Sequence, residues 1–168
     1  MPHPLTAFSR YLHGRHEVLA AIAAEIAAHL DACGPDEAAA RTPPRARVSD
    51  LMWLWTLGAY EVVRTMSQAH GCFAPRFHRE LSDLKHALER VRVANTKMER
   101  IRYDRRARGV AVPSDRPPEL WLAADKDILV GDPADPSSAR QLLAAYARVL
   151  ASLTPEDVLR RHEDCYER

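Results

Sequence analysis

The apolar and polar positions of this chain alternate with helical periods, and the most apolar stretch lies between Ser49 and Gly71. Ten apolar residues from Leu51 to Val63 leave no polar face over about three turns, so neighbouring elements must cover this helix on several sides. Ser49 or Asp50 is suited to cap its start, and Gly71 its end. The run is shorter than the about 20 residues that a membrane span needs. We expect it to be the central helix of a bundle.

Other segments of the chain place apolar residues at alternating spacings of three and four, which is typical of amphipathic helices. These segments are residues 5–32, residues 76–108, and a stretch from Ser137 or Ser138 to about Leu153. A short helix then follows to the C-terminus, with Thr154 as its cap and Pro155 at its first position. The predicted fold class is therefore all-α: one domain, residues 1–168, built as a bundle of four main helices plus a short C-terminal helix.

Two Pro-rich segments interrupt the helical pattern. Residues 35–48 are predicted to form a linker between the first and second helices. Residues 109–137 are predicted to form an insertion between the third and fourth helices. Two short apolar runs, Leu120–Ala123 and Ile128–Val130, leave open whether this insertion is an irregular loop or a small β-hairpin.

The composition of the 168-residue chain is ordinary for a globular protein, with 46% hydrophobic and 28% charged residues. A formal net charge of +1 gives no overall field to attract nucleic acid or an anionic membrane. Cys33, Cys72 and Cys165 are widely spaced and odd in number, which argues against a disulfide framework and for a reducing compartment. The first residues carry no signal-peptide pattern, so we expect a cytoplasmic protein with no membrane partner.

The sequence contains no Gly-rich phosphate loop, zinc motif or nucleophile elbow, so any chemistry must come from helix side chains. Glu61, Arg64 and His70 are the first candidates, because charged side chains on the most apolar helix must be paired or face a cleft. Glu61 and Arg64 are three residues apart and share a helix face. One interpretation is a buried pair that fixes helix register. The other is a catalytic site in which Arg64 holds an anion and His70 acts as a general acid or base.

The spacing from Arg64 to His70, with polar Thr65 after the arginine, resembles the Arg-x4-6-His motif of the HEPN superfamily. That resemblance implies a helical domain that dimerises and, in many members, cleaves RNA without a metal. Spacings within the same limits also occur from Arg10 to His16 and from Arg79 to His86, so the sequence assigns no family.

Further polar residues of the predicted helices are also candidates for a structural or functional role. Asn95 and His16 fall on apolar seams and are predicted to be buried, together with Glu61 and Arg64. A group of arginines near the end of the predicted third helix either complements the helix dipole or contacts phosphates. These arginines are Arg100, Arg102, Arg105, Arg106 and Arg108. Cys72 is predicted to pack under Phe73, with a thiol nucleophile as the alternative.

Three pairs of potential metal ligands are spaced to face one way on a helix: His13 and His16, Asp83 and His86, His162 and Cys165. They lie on different predicted helices, and nothing in the sequence makes them converge. We therefore expect no metal site and no cofactor, and we keep a metal-binding bundle as the third functional hypothesis.

The leading hypothesis is a protein-interaction or oligomerisation module, whose partner is a second copy or another protein. The alternative is a HEPN-like, metal-independent endoribonuclease or RNA-binding domain that uses Arg64 and His70. The sequence leaves open whether the protein is an enzyme.

Overall fold

A computed structural model of the chain describes residues 3–33, 43–97, 99–103, 109–113 and 119–165. Within these ranges the chain forms five α-helices and five β-strands in the order four helices, five strands, one helix. The helices are α1 (Leu5–Phe8), α2 (Arg10–Ala32), α3 (Pro43–Gln68), α4 (Pro75–Lys97) and α5 (Ala139–Ser152). The strands are β1 (Glu99–Tyr103), β2 (Gly109–Pro113), β3 (Glu119–Leu122), β4 (Asp127–Asp132) and β5 (Asp135–Ser138).

The prediction of an all-α fold is wrong, because two antiparallel sheets stand between α4 and α5. One is the two-stranded pair β1–β2, and the other has three strands in the order β3-β4-β5. Of the two alternatives for the Pro-rich insertion, an irregular loop or a β-hairpin, the structure contains the hairpin. It consists of β3 and β4, with Trp121 opposite Ile128. The fold is thus four main helices combined with small antiparallel sheets.

The predicted third helix, residues 76–108, ends early at Lys97. The chain continues as β1, in which Arg100 pairs with Val112 and Arg102 with Val110 of β2. In β1, Arg100 and Arg102 alternate with Ile101 and Tyr103, which is the period of two of a strand, and the valines of β2 favour strands. This local pattern favours a strand over the helix that was predicted to continue through these residues. Residues 104–108 lie outside the described part of the chain.

Other helix boundaries also differ from the predicted ones. The first predicted helix is divided at Ser9, whose extended backbone and side-chain hydrogen bond from the Leu12 N–H cap the start of α2. Helix α3 begins at Pro43 rather than at Ser49, as a proline is well tolerated in the first helical turn. The Pro-rich linker predicted over residues 35–48 is therefore shorter, and residues 34–42 lie outside the described ranges.

The core forms where α3 packs between α2 and α4, which confirms its central position. The other face of α4 contacts β4 and α5. Gly131 in β4 has a φ of +101°, and a Cβ there would lie 3.4 Å from Val91 Cγ2 of α4. Glycine therefore permits both the backbone conformation and the close approach of the sheet to α4.

The carboxylate of Asp127, which is 6% exposed, joins β4 to the start of α5. Its Oδ1 accepts hydrogen bonds from the N–H groups of Ile128 and Arg140, and its Oδ2 accepts from the Ser138 hydroxyl. Ser138 caps α5 by accepting from the Gln141 N–H. A negative charge at a helix N-terminus is stabilised by the helix dipole.

The C-terminal segment forms two 3₁₀ turns, Pro155–Asp157 and Glu163–Cys165, instead of the predicted helix. Asp157 is buried and accepts hydrogen bonds from Arg76 at the start of α4 and from the N–H and hydroxyl groups of Thr154. The segment thereby packs on the turn between α3 and α4.

The cysteine spacing predicted no disulfide, but the structure joins Cys72 to Cys165, whose Cα atoms are 6.4 Å apart. The two cysteines are 93 positions apart in sequence and meet because the C-terminal segment returns to the turn after α3. None of the described helices is both long enough and apolar enough to cross a lipid bilayer.

Candidate functional site

Glu61 and Arg64 lie on the surface of α3, which corrects the prediction that both are buried. Arg64 Nη1 donates a hydrogen bond to Glu61 Oε2 over 2.7 Å, and the side chains are 43% (Arg64) and 51% (Glu61) exposed. The predicted pairing is present, but water screens it, and exposed pairs of this kind contribute about 0 to 1 kcal/mol. An apolar run does not reveal which side of a helix its neighbours leave open.

His70 is exposed and lies beyond the end of α3, in the 3₁₀ turn His70–Cys72. Its ring makes a T-shaped contact with the His78 ring, with centroids 5.8 Å apart. His78 Nε2 lies 2.9 Å from the carbonyl oxygens of both His70 and Phe73, so His78 holds this turn. Among the described residues, no hydrogen bond or ion pair joins His70 to Arg64.

Asn95 is 9% exposed, and its Oδ1 accepts a hydrogen bond from the Gly131 N–H over 3.2 Å. Its polar group on the apolar seam of α4 therefore fixes the position of β4 within the same chain. Arg92, also on α4, stacks on the Tyr60 ring with its guanidinium carbon 4.6 Å from the ring centroid. This contact is a cation–π interaction between α4 and α3.

The arginines predicted as a phosphate-binding group are only partly within the described residues. Arg100 and Arg102 belong to β1, and the Arg102 side chain is exposed. Arg105, Arg106 and Arg108 lie outside the described residues. The described part of the chain therefore supplies no geometry for an arginine cluster there.

His16 belongs to a group of rings that the sequence did not predict: His3, His13, His16 and Tyr146. Ring centroids are 5.5 Å apart for His3 and His13, and 5.0 Å apart for His3 and His16. His16 Nδ1 lies 3.3 Å from the Tyr146 hydroxyl, and His3 Nδ1 accepts a hydrogen bond from the Leu5 N–H. This histidine cluster joins the N-terminal segment, α2 and α5.

Burial lowers the pKa of both His3 and His16 below the ordinary value of 6.5, and the nearby charge of His13 lowers both further. Burial also raises the pKa of the Tyr146 hydroxyl. Neutral imidazoles are good metal ligands, but no group of three or more His, Cys, Asp or Glu in the described ranges is arranged to hold a metal ion. The three pairs of potential metal ligands identified from the sequence do not come together within the described ranges.

A groove of about 420 Å³ runs between α2 and α3. Three large apolar side chains that line it are exposed: Tyr11 at 70%, Val18 at 54% and Leu54 at 48%. Helix α3 is thus apolar on a side that the described chain leaves open. In the sequence, the indication of this groove is that two apolar residues of α2, Tyr11 and Val18, fall outside the apolar stripe that packs into the core.

A second, larger cavity of about 900 Å³ lies between the N-terminal and C-terminal segments. His3, Pro4 and residues 6–10 form one wall, and the other consists of Pro155, Arg161, His162 and Glu163. The His162 N–H donates to the Phe8 carbonyl oxygen over 2.9 Å and ties the two walls together. Among the residues that the structure describes, none lines both the groove and this cavity.

Comparisons of this chain with protein-family models, with curated proteins and with solved structures found no match.

Proposed function

We propose that this chain is a homo-oligomerisation module that pairs with a second copy of itself through the groove between α2 and α3. The observation that carries the proposal is the exposed apolar side of α3. Ten apolar residues between Leu51 and Val63 require cover on several sides, whereas Leu54, which lines the groove, remains about half exposed. Contiguous exposed apolar surface typically marks an interaction site.

Both walls of the groove expose residues with the same spacing of four, three and four. This spacing keeps residues on one face of a helix and is the seam pattern of packed helices. The α2 stripe is Tyr11, Arg15, Val18 and Ile22, and the α3 stripe is Leu54, Gly58, Glu61 and Thr65. The two stripes run side by side with a shallow groove between them, and this shape suits packing against a second pair of helices.

The two helices are antiparallel, because Leu19 of α2 lies against Gly58 of α3 while the later Glu25 pairs with the earlier Arg47. A two-fold axis parallel to the helices places α2 of one copy over α3 of the other. Every neighbouring helix pair is then antiparallel, as in four-helix bundles. Two-fold interfaces are self-complementary, so one groove supplies both halves.

Charge supports this arrangement. Arg15 precedes Leu19 by one turn and Glu61 follows Gly58 by about one turn, so both charges lie at nearly the same height in the groove. With α2 over α3, Arg15 of each copy faces Glu61 of the other. Packing α2 over α2 would not bring Arg15 against Glu61.

The test is native mass spectrometry and light scattering of the purified protein at about 100 µM. We expect a dimer, and Val18→Glu should make it monomeric because it places a charge in the apolar seam. Leu120→Glu is the matched control, since Leu120 is 60% exposed on β3, outside the groove. A monomeric wild-type protein, or equal dissociation by both variants, would overturn the proposal.

Charge exchange tests the orientation of the two copies. Arg15→Glu should weaken the dimer at least about tenfold, since it places two carboxylates together. Adding Glu61→Arg in the same chain should restore the affinity. If the double variant dissociates as readily as the single one, α2 does not lie over α3.

RNA cleavage by Arg64 and His70 stays a prediction from sequence spacing. His70 contacts His78 rather than Arg64, and neither Arg64 nor His70 lines the described groove or cavity. No specific contact favours this function, so oligomerisation is the function we propose.

A further inference from the structure

The last part of the described chain, residues 158–165, lies across two other segments, and we call it the C-terminal strap. The Leu159 N–H donates to the Cys72 carbonyl oxygen and the His162 N–H to the Phe8 carbonyl oxygen, both over 2.9 Å. The disulfide between Cys72 and Cys165 fastens the far end of the strap. The strap therefore connects the end of α1 with the turn after α3.

The side chains of the strap are shallow, so they anchor it less firmly than the chain just before it. Each of residues 158–165 is at least partly exposed. Asp157, by contrast, is buried and accepts a hydrogen bond from Arg76. A segment with few buried side chains opens locally at a small cost in free energy. The disulfide is therefore the strongest attachment of the strap beyond Asp157.

The two sulfurs of the disulfide differ in their access to solvent. Cys72 is buried, whereas Cys165 is partly exposed. The buried Phe8 ring also packs against the strap, with its centroid 5.0 Å from that of the His162 ring. Thiol–disulfide exchange proceeds by attack of a thiolate on an accessible sulfur. A thiol in solution therefore meets Cys165 first, and the strap covers Cys72.

We propose that the Cys72–Cys165 disulfide is a reversible redox latch, whose reduction by an external dithiol releases the strap and uncovers Cys72 and Phe8. A thiolate of the dithiol attacks the Cys165 sulfur and displaces Cys72 as a thiolate, which takes up a proton from water. The second thiol of the reductant then displaces Cys165, so the reductant leaves as a disulfide and the protein gains two electrons and two protons. Exchange with an external disulfide reverses both steps.

The first test is hydrogen–deuterium exchange of the full chain before and after reduction by dithiothreitol without denaturant. We expect the amides of Leu159 and His162 to exchange at least about tenfold faster after reduction, because both donate hydrogen bonds that hold the strap. The amides of α5 should keep their rates. Glutathione disulfide should re-form the bond and restore slow exchange. Cys165→Ser cannot form the bond, so its strap should exchange fast with or without dithiothreitol.

Alkylation by iodoacetamide tests whether the strap opens. In the reduced wild type both Cys72 and Cys165 should be alkylated, since opening uncovers the Cys72 thiol. Cys33 is buried and lies outside the disulfide, so it should stay unlabelled and report that the core is intact. Circular dichroism of the oxidised and reduced chain should be the same.

Alkylation of Cys165 alone, or equal exchange rates before and after reduction, would show that the strap stays closed and would overturn the proposal. Faster exchange throughout the chain would overturn it as well, because the bond would then stabilise the whole fold. So would a disulfide that dithiothreitol reduces only in denaturant. Among the described residues that line the groove between α2 and α3, none belongs to the strap. The Val18→Glu variant should therefore respond as the wild type does, which separates this result from the test of dimerisation.

Discussion

Asp127 is the residue whose loss should destabilise the fold through a small number of defined hydrogen bonds. Asp127→Ala removes the acceptor of the N–H groups of Ile128 and Arg140 and of the Ser138 hydroxyl. Leaving a buried N–H unsatisfied costs about 1 to 3 kcal/mol, and losing the negative charge at the start of α5 costs about 0.3 to 1 kcal/mol. Because Ser138 and Arg140 are partly exposed, water replaces some of these contacts, and we expect a net loss of about 3 kcal/mol.

Thermal unfolding followed by circular dichroism measures this loss. For a chain of this length 1 kcal/mol shifts the melting temperature by about 2 to 4 °C, so Asp127→Ala should melt about 6 to 12 °C lower than the wild type. Asp127→Asn is the control for charge, since its amide oxygen still accepts from both N–H groups, and it should lose only about 1 kcal/mol. A melting temperature of Asp127→Ala within about 2 °C of the wild type would refute the argument.

Two further predictions concern polar groups inside the fold. Because the pKa values of His3 and His16 are lowered, the unfolded chain takes up protons more readily than the folded chain, so stability should be complete above about pH 6.5 and fall as the pH drops below it. Melting temperatures measured at about pH 7.5 and 5.5 should show this decrease, and a decrease of the same size in a His3→Gln/His16→Gln variant would contradict it. Asn95→Ala should cost about 1 to 2 kcal/mol in urea unfolding, because it removes the buried acceptor of the Gly131 N–H. Asn95→Asp should cost more, since it buries a charge, and a smaller loss than for alanine would show that the site is open to water.

The sequence predicted the long helices best where their apolar spacing continued over many turns. Residues 139–152 form α5 within the predicted segment, and its cap is Ser138, one of the two serines expected there. The predicted helix boundaries were wrong where another local signal, a capping residue or a strand pattern, was overlooked. Ser9 caps α2 within a continuous apolar pattern, and the alternation of arginine with apolar residues in β1 was read as the end of a helix.

The candidate sites were predicted less well than the elements. Glu61 and Arg64 pair as their spacing predicted, but at the surface rather than in the core. The histidine cluster depends on Tyr146, which is 130 positions after His16 and meets it only when α5 packs against α2. No local spacing reports such a contact.

The sequence by itself determined where the four main helices lie, though not all of their ends, and that α3 is the most apolar of them, because helical periodicity depends on residues within a few positions of one another. The tertiary structure decided which sides of α3 are covered, how Asn95 meets Gly131, and that Cys72 meets Cys165. These outcomes join residues far apart in the chain and depend on how whole elements pack. The exposed groove and the terminal cavity are likewise properties of packing, since each is lined by segments that only the fold brings together.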